Sequence, residues 1–232
     1  MELKELTDDM YYPDDRPTGL GQIILLCISI LINSLGNALT VSLNLGSALW
    51  TASAVNLGHL FSVSLGNMLL FEGIAVILAN ALLLRSIDWH RMIGNLIFMI
   101  PFSYLVGGLT RLLVVTGIQS LPTWLAVIID VVGVMMIGAG ISIYQRINIV
   151  LHPNDDLMQI LRFRYLHGNP IIAQFVAYLP PIILIVSCFF ISQAIWAVNV
   201  GTLVSLLFQG TFIGISDRLL FPRLKHQKLF QA

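Results

Sequence analysis

The sequence predicts an all-α membrane protein: six transmembrane helices in two inverted three-helix repeats, each with a short broken or re-entrant helical segment. Three observations predict it. The 232 residues are 57% hydrophobic and only 10% charged, with a mean hydropathy of +0.87, whereas soluble domains carry about a quarter charged residues. Six apolar runs, roughly 20–43, 65–84, 92–116, 123–150, 169–193 and 199–221, can each cross about 30 Å of hydrocarbon as a helix. Finally, Ile93-Gly94-Asn95-Leu96, Val106-Gly107 and Arg111-Leu112-Leu113 recur 107 positions later as Val200-Gly201-Thr202-Leu203, Ile213-Gly214 and Arg218-Leu219-Leu220. Residues 93–113 and 200–220 share six identities in 21 positions. An odd number of spans per copy makes the copies run in opposite directions, as in many secondary transporters, whose site lies where the repeats meet.

The elements follow in order. Residues 1–18 form an acidic tail (Glu2, Glu5, Asp8, Asp9, Asp14, Asp15) without the basic start of a signal peptide. The first apolar run is too long for a signal-peptide core, so it reads as an uncleaved span. Repeat 1 covers 19–116, an external linker 117–122, repeat 2 123–221 and a basic tail 222–232. Residues 44–64 are half apolar and mimic a seventh span. Their counterpart, 151–168, holds Asp155, Asp156, Arg162, Arg164 and His167, too many charges to cross lipid. Both stretches therefore read as short helices that re-enter the protein or lie along its surface; such backbone is tolerated at membrane depth only inside protein or beside a watery cavity. The segments after them also match loosely, Ser64-Leu65-Gly66-Asn67 and Glu72 against Leu166-His167-Gly168-Asn169 and Gln174. Pro101 and Pro180-Pro181 are expected to kink or loosen their helices. Trp89, Trp124 and Trp196 fall at span ends or in a loop, as in an interfacial belt.

Charge sets the orientation. With the N-terminus inside, the inner side receives Lys4, Arg16, Arg85, Arg91, Arg146, Arg162, Arg164, Arg218, Arg223, Lys225 and Lys228, and the outer side only Arg111. That distribution obeys the positive-inside rule and puts both termini in the cytoplasm. The formal net charge of zero gives no reason to expect nucleic acid as a partner. Cys27 and Cys188 both fall inside spans and form no disulfide framework.

The segments Gly36-Asn37-Ala38-Leu39-Thr40-Val41 and Leu45-Gly46-Ser47-Ala48-Leu49-Trp50-Thr51 resemble the first-repeat signature of the YczE/YyaS/YitT bacterial membrane proteins. Pro153-Asn154-Asp155-Asp156-Leu157-Met158 is similar to that family's Gly-Pro-x-Asp-Gly-Leu-Met motif, with His152 and Asp156 where glycines are usual. Ala48 stands where the first motif usually has proline. The resemblance covers nearly the whole transmembrane region and implies a multi-pass protein of the bacterial plasma membrane. It supplies no substrate and no catalytic residue.

Ionisable residues within spans are expensive, about 2.5–3.5 kcal/mol each on insertion scales, so each asks for a partner. Glu72, Arg111 and Asp130 each lie five to seven residues from a predicted outer span end. They are expected to share one site, two carboxylates around one guanidinium, either as a proton- or cation-responsive substrate site or as a static ion pair. In the other repeat Arg218 matches Arg111, Gln174 replaces Glu72 and Ile23 stands opposite Asp130. Arg218 is near enough to the inner surface to snorkel. The broken segments offer a second candidate site. Asn44, Ser47 and Trp50, and Asn154, Asp155 and Asp156, occur just before or at short helices, where they serve as N-caps or flank an anion-binding helix terminus. Interrupted segments at matching repeat positions are the best sequence pointer to a transporter site.

His-Glu-x-x-His, Cys-x-x-Cys, Gly-x-x-x-x-Gly-Lys and Gly-x-Ser-x-Gly are all missing from the sequence. The expectation is a transporter of a small solute or ion, not an enzyme, with no cofactor and no metal; His59 has no second histidine nearby in sequence. The alternative is a non-transporting scaffold or accessory subunit with a protein partner or as a homo-oligomer. The basic tail Arg223-Leu224-Lys225-His226-Gln227-Lys228 suits attachment to anionic lipid in either case.

Overall fold

A computed structural model describes residues 10–11 and 16–225. Glu2, Glu5, Asp8, Asp9, Asp14 and Asp15 of the acidic tail, Lys4, and His226, Gln227 and Lys228 of the basic tail lie outside the described residues. The described chain is helical: α1 Gly19–Leu43, α2 Leu49–Phe61, α3 Leu65–Leu84, α4 Trp89–Val115, α5 Thr123–Ile147, α6 Pro153–Ile160, α7 Pro170–Ser192 and α8 Val200–Leu219. A π-helical turn, Leu161–Tyr165, extends α6, and a 3-10 turn, Ile118–Ser120, precedes α5. Six helices, all but α2 and α6, are long and apolar enough to cross a membrane. The two expected broken segments are α2 and α6.

Local chemistry explains where helices start and stop. Thr18 caps α1 by accepting a 3.1 Å bond from the Gly21 amide, and Asp88 caps α4 through the Arg91 amide at 3.1 Å. Asn199 and Thr202 form a capping box at the start of α8. Asn169, followed by Pro170, opens α7 by accepting bonds from the amides of Ile171 and Ile172. Asn44 and Asn148 end α1 and α5 in the left-handed conformation, φ 53° and 52°, which asparagine tolerates better than most residues. Each turn then feeds a broken segment.

The centre is the crossing of α1 and α5, the most extensive helix pairing, flanked by α4 on α1 and α8 on α5. Glycines set how closely these backbones approach. A Cβ on Gly36 would lie 2.6 Å from the Gly133 carbonyl, and one on Gly140 2.6 Å from the Asn33 Cβ. Small residues are what let transmembrane helices pack this closely, because lipid supplies no hydrophobic drive between them. Gly133→Leu is therefore expected to destabilise by about 1–3 kcal/mol through overpacking, read as melting of the detergent-solubilised protein. Gly108→Leu, where a new Cβ meets nothing within 4 Å, should melt as the parent does.

Outside this crossing each short helix packs on the other half of the chain, α2 on α7 and α6 on α3. The linker between α7 and α8 docks on the turn before α2 and on the side of α2 itself. Asn44 Oδ1 accepts from the Ala197 amide at 2.8 Å, the Ser47 amide donates to the Ala197 carbonyl at 2.9 Å, and Asn56 bonds both backbone groups of Trp196. Trp196 also stacks on His59, with ring centroids 4.3 Å apart. This tryptophan belongs to an interhelical dock. On α6, Asn80 Nδ2 of α3 donates 3.0 Å to the Pro153 carbonyl.

Candidate functional site

The expected triad does not form. No ion pair or hydrogen bond among the described residues joins Glu72, Arg111 and Asp130. The reason lies in the start of α3. A Cβ on Gly107 of α4 would meet the Gly66 amide at 2.9 Å, so α3 begins beside Gly107, eight residues before the end of α4 at Val115. That is about 12 Å of helix. Depths counted from the sequence assumed that both helices start at the same level. Glu72 consequently lies deeper, beside Ser53 of α2 and Cys188 of α7, with Oε1 buried and unbonded. Arg111 is exposed on α4. Asp130, 2% exposed, packs where Gly46 and Gly201 leave no room for a side chain, and its Oδ1 accepts no hydrogen bond.

Of the other predicted residues, Asn44 and Ser47 are engaged by the Ala197 dock. Gln174 donates 3.4 Å to the Tyr178 hydroxyl, and Arg218 is exposed. Trp50, Asn154 and Asp155 instead come together, around a cavity of about 100 Å³.

The cavity lies between the starts of the two short helices, with Ala48, Leu49, Trp50 and Thr51 from α2 and His152, Asn154, Asp155 and Met158 at α6. Each short helix is tied to the first long helix of its own half by one side-chain bond. Thr51 Oγ1 donates 2.6 Å to Asn37 Oδ1 of α1, and Asn37 in turn donates 2.8 Å to Asn33 Oδ1. The Tyr144 hydroxyl of α5 donates to Asp155 Oδ2. Thr51 reaches α1 six residues before its end at Leu43, about 9 Å along the helix. The α2 start is therefore drawn in from the helix end. Tyr178 of α7 and Ser205 and Gln209 of α8 complete the polar wall, with Phe102, Ile137 and Ile141 apolar.

The lining mixes polar and apolar side chains and is nearly uncharged. Among the described residues Asp155 is its one carboxylate, and no lysine or arginine lines it. Burial pushes the Asp155 carboxyl up to about 6; the Tyr144 bond opposes that rise, and the neighbouring charge of Asp156 adds to it. Burial holds the His152 imidazole down at about 3, so it is neutral near neutral pH. His152 packs against the rings of Phe98 and Phe102 at 5.5 and 4.9 Å and caps the Asn154 amide. Asn154 Oδ1 and Gln209 Nε2 are buried without a hydrogen-bond partner.

Two arginines counted in sequence only as inner-side charges have structural partners. Arg91 clasps both oxygens of Asp156, 1% exposed, while Asn95 Nδ2 donates 3.0 Å to Asp156 Oδ2. Arg146, also 1% exposed, faces Asp217 at 3.4 Å and donates to the carbonyls of Asp217, Phe221 and Leu224. A sequence signal did exist for several missed groups. Asn33/Asn37, Arg91/Asn95 and Ser205/Gln209 are polar pairs four apart in otherwise apolar helices, and so share a helix face.

The helices and the cavity together define a multi-pass integral membrane protein with a partly polar cavity at the starts of two short helices. Residues 20–218 match the family described as "Family of unknown function (DUF6198)", and the chain belongs to that family. No curated protein and no solved structure matches it.

Proposed function

We propose that the protein is a secondary transporter of a small solute in the bacterial plasma membrane, working by alternating access with both termini in the cytoplasm. The observation that carries this reading is the pairing Asn37–Thr51 and Tyr144–Asp155. Each ties the start of a short helix to the first long helix of its half, and both face one cavity. Exchanging α1 for α5, α2 for α6, α3 for α7 and α4 for α8 turns most helix interfaces into one another. The α1–α4 interface becomes α5–α8, and α2–α7 becomes α6–α3. Two inverted halves would produce such a pattern, and rocking one against the other would open the cavity to each side in turn. The exchange fails most clearly where α3 packs along α4 without an equally extensive α7–α8 interface.

Single cysteines at Leu49 and Met158, in a chain with Cys27 and Cys188 replaced by serine, test the reading without a known solute. Alternating access predicts that a membrane-impermeant thiol reagent reaches both positions from either face, in right-side-out and inside-out vesicles. Labelling from one face only ends the transport reading. Such labelling with a co-purifying stoichiometric protein would identify an accessory subunit instead.

A further inference from the structure

We propose that the cavity binds a small organic cation, its ammonium group against the Asp155 carboxylate and its apolar body against Trp50, Tyr144 and Tyr178. The inference deepens the transport reading and rests on it. Asp155 supplies the lining's negative charge, and no cationic side chain among the described residues lines the cavity to answer it. The next acid along, Asp156, is already paired with Arg91. Tyr144 bonds only Oδ2 of Asp155, and Asn154 Oδ1 is a buried acceptor with no donor. An ammonium brings three donors and no acceptor, so it suits both free acceptors, whereas a carboxylate solute would set acceptor against acceptor. Aromatic faces add cation–π attraction, which strengthens as water is excluded. The unused donor Gln209 Nε2 suits an oxygen elsewhere on the solute. The cavity of about 100 Å³ admits a small solute.

Protons compete for the same carboxylate. The titratable groups around Asp155 are Tyr144 from α5, Tyr178 from α7, Asp156 on its own helix and His152, held neutral by burial, at that helix's start. None is a cation that would keep Asp155 ionised in acid, so cation binding weakens as pH falls through about 6.

The test uses the purified full chain in detergent with tert-butylammonium, tert-butanol and pivalate, which share a compact body and differ in charge. At about pH 8, tert-butylammonium is expected to bind about tenfold or more tightly than tert-butanol, and pivalate more weakly than either. The preference should fade at about pH 5. Asp155→Asn keeps an acceptor for Tyr144 and removes the charge, and should bring the ammonium-to-alcohol ratio to about one. Should that variant not fold, Trp50→Leu reads the same ratio and should lower it severalfold. Equal binding of alcohol and ammonium, a preference for pivalate, no ammonium binding at about 100 mM, or a preference surviving Asp155→Asn overturns the inference. The readout is equilibrium binding, so one-sided thiol labelling, which would end the transport reading, leaves this result to stand or fall separately.

Discussion

Arg91→Ala is expected to destabilise the protein by about 3–5 kcal/mol, the range found when one partner of a buried ion pair is removed. Asp156 is 1% exposed, and its carboxylate receives bonds from Arg91 Nε at 2.8 Å to each oxygen and from Asn95 at 3.0 Å. Without the guanidinium a charge stays buried with one neutral donor. The pair also has a positional role, because Arg91 starts α4 and Asp156 lies in the first turn of α6. The damage should therefore spread to α6 and to Asp155 beside the cavity. Arg91→Ala combined with Asp156→Leu is expected to melt higher than Arg91→Ala alone, since the uncompensated charge is then gone. A double-mutant cycle in one detergent measures this. Additive effects would show that the pair is not coupled.

The spans were legible because hydropathy and length suffice to define them. Predicted runs 20–43 and 65–84 became Gly19–Leu43 and Leu65–Leu84. The broken segments were legible through the charges of 151–168 and the weak apolarity of 44–64, which together excluded a seventh span. Depth was not legible. Counting residues from span ends treats helices as starting level, but α3 begins beside Gly107 of α4, eight residues before that helix ends, which separates Glu72 from Arg111. Pairings across the fold were hidden for a related reason. Asp156 finds Arg91 65 residues away, and Asn56 finds Trp196 at a separation of 140. Such contacts depend on which helix faces which, and hydrophobic periodicity carries little of that where helices are apolar all round. Trp50, Asn154 and Asp155 were found because they belong to interruptions, whereas Asn37, Tyr144 and Gln209 sit inside long spans.

Arg146→Met is expected to cost a comparable amount, about 3–5 kcal/mol, with an effect concentrated at one end of the molecule. Arg146 belongs to α5, yet its Nη1 donates to the carbonyls of Asp217, Phe221 and Leu224 at 3.3, 3.2 and 3.0 Å. The last carbonyls of a helix have no donor within it, so this side chain caps α8 from a neighbouring helix. Nε and Nη2 are held by the Ser142 carbonyl and hydroxyl at 3.1 and 3.0 Å, and Ser142 Oγ donates 2.6 Å to Asp217. Leu224 packs with Met10, Leu25, Ile143 and Ile147, which ties the segment before α1 to the same knot. Methionine retains most of the volume and none of the donors. Hydrogen exchange should rise at 217–225 and around Thr18, whose amide bonds the Met10 carbonyl at 2.9 Å, while α3 and α4 stay protected. Trypsin should cut sooner at Arg223 and Lys225. Arg146→Lys should be intermediate, because one ammonium cannot serve acceptors spread around a planar guanidinium. Unchanged exchange at 217–225 in Arg146→Met would show that the apolar cluster alone holds this end together.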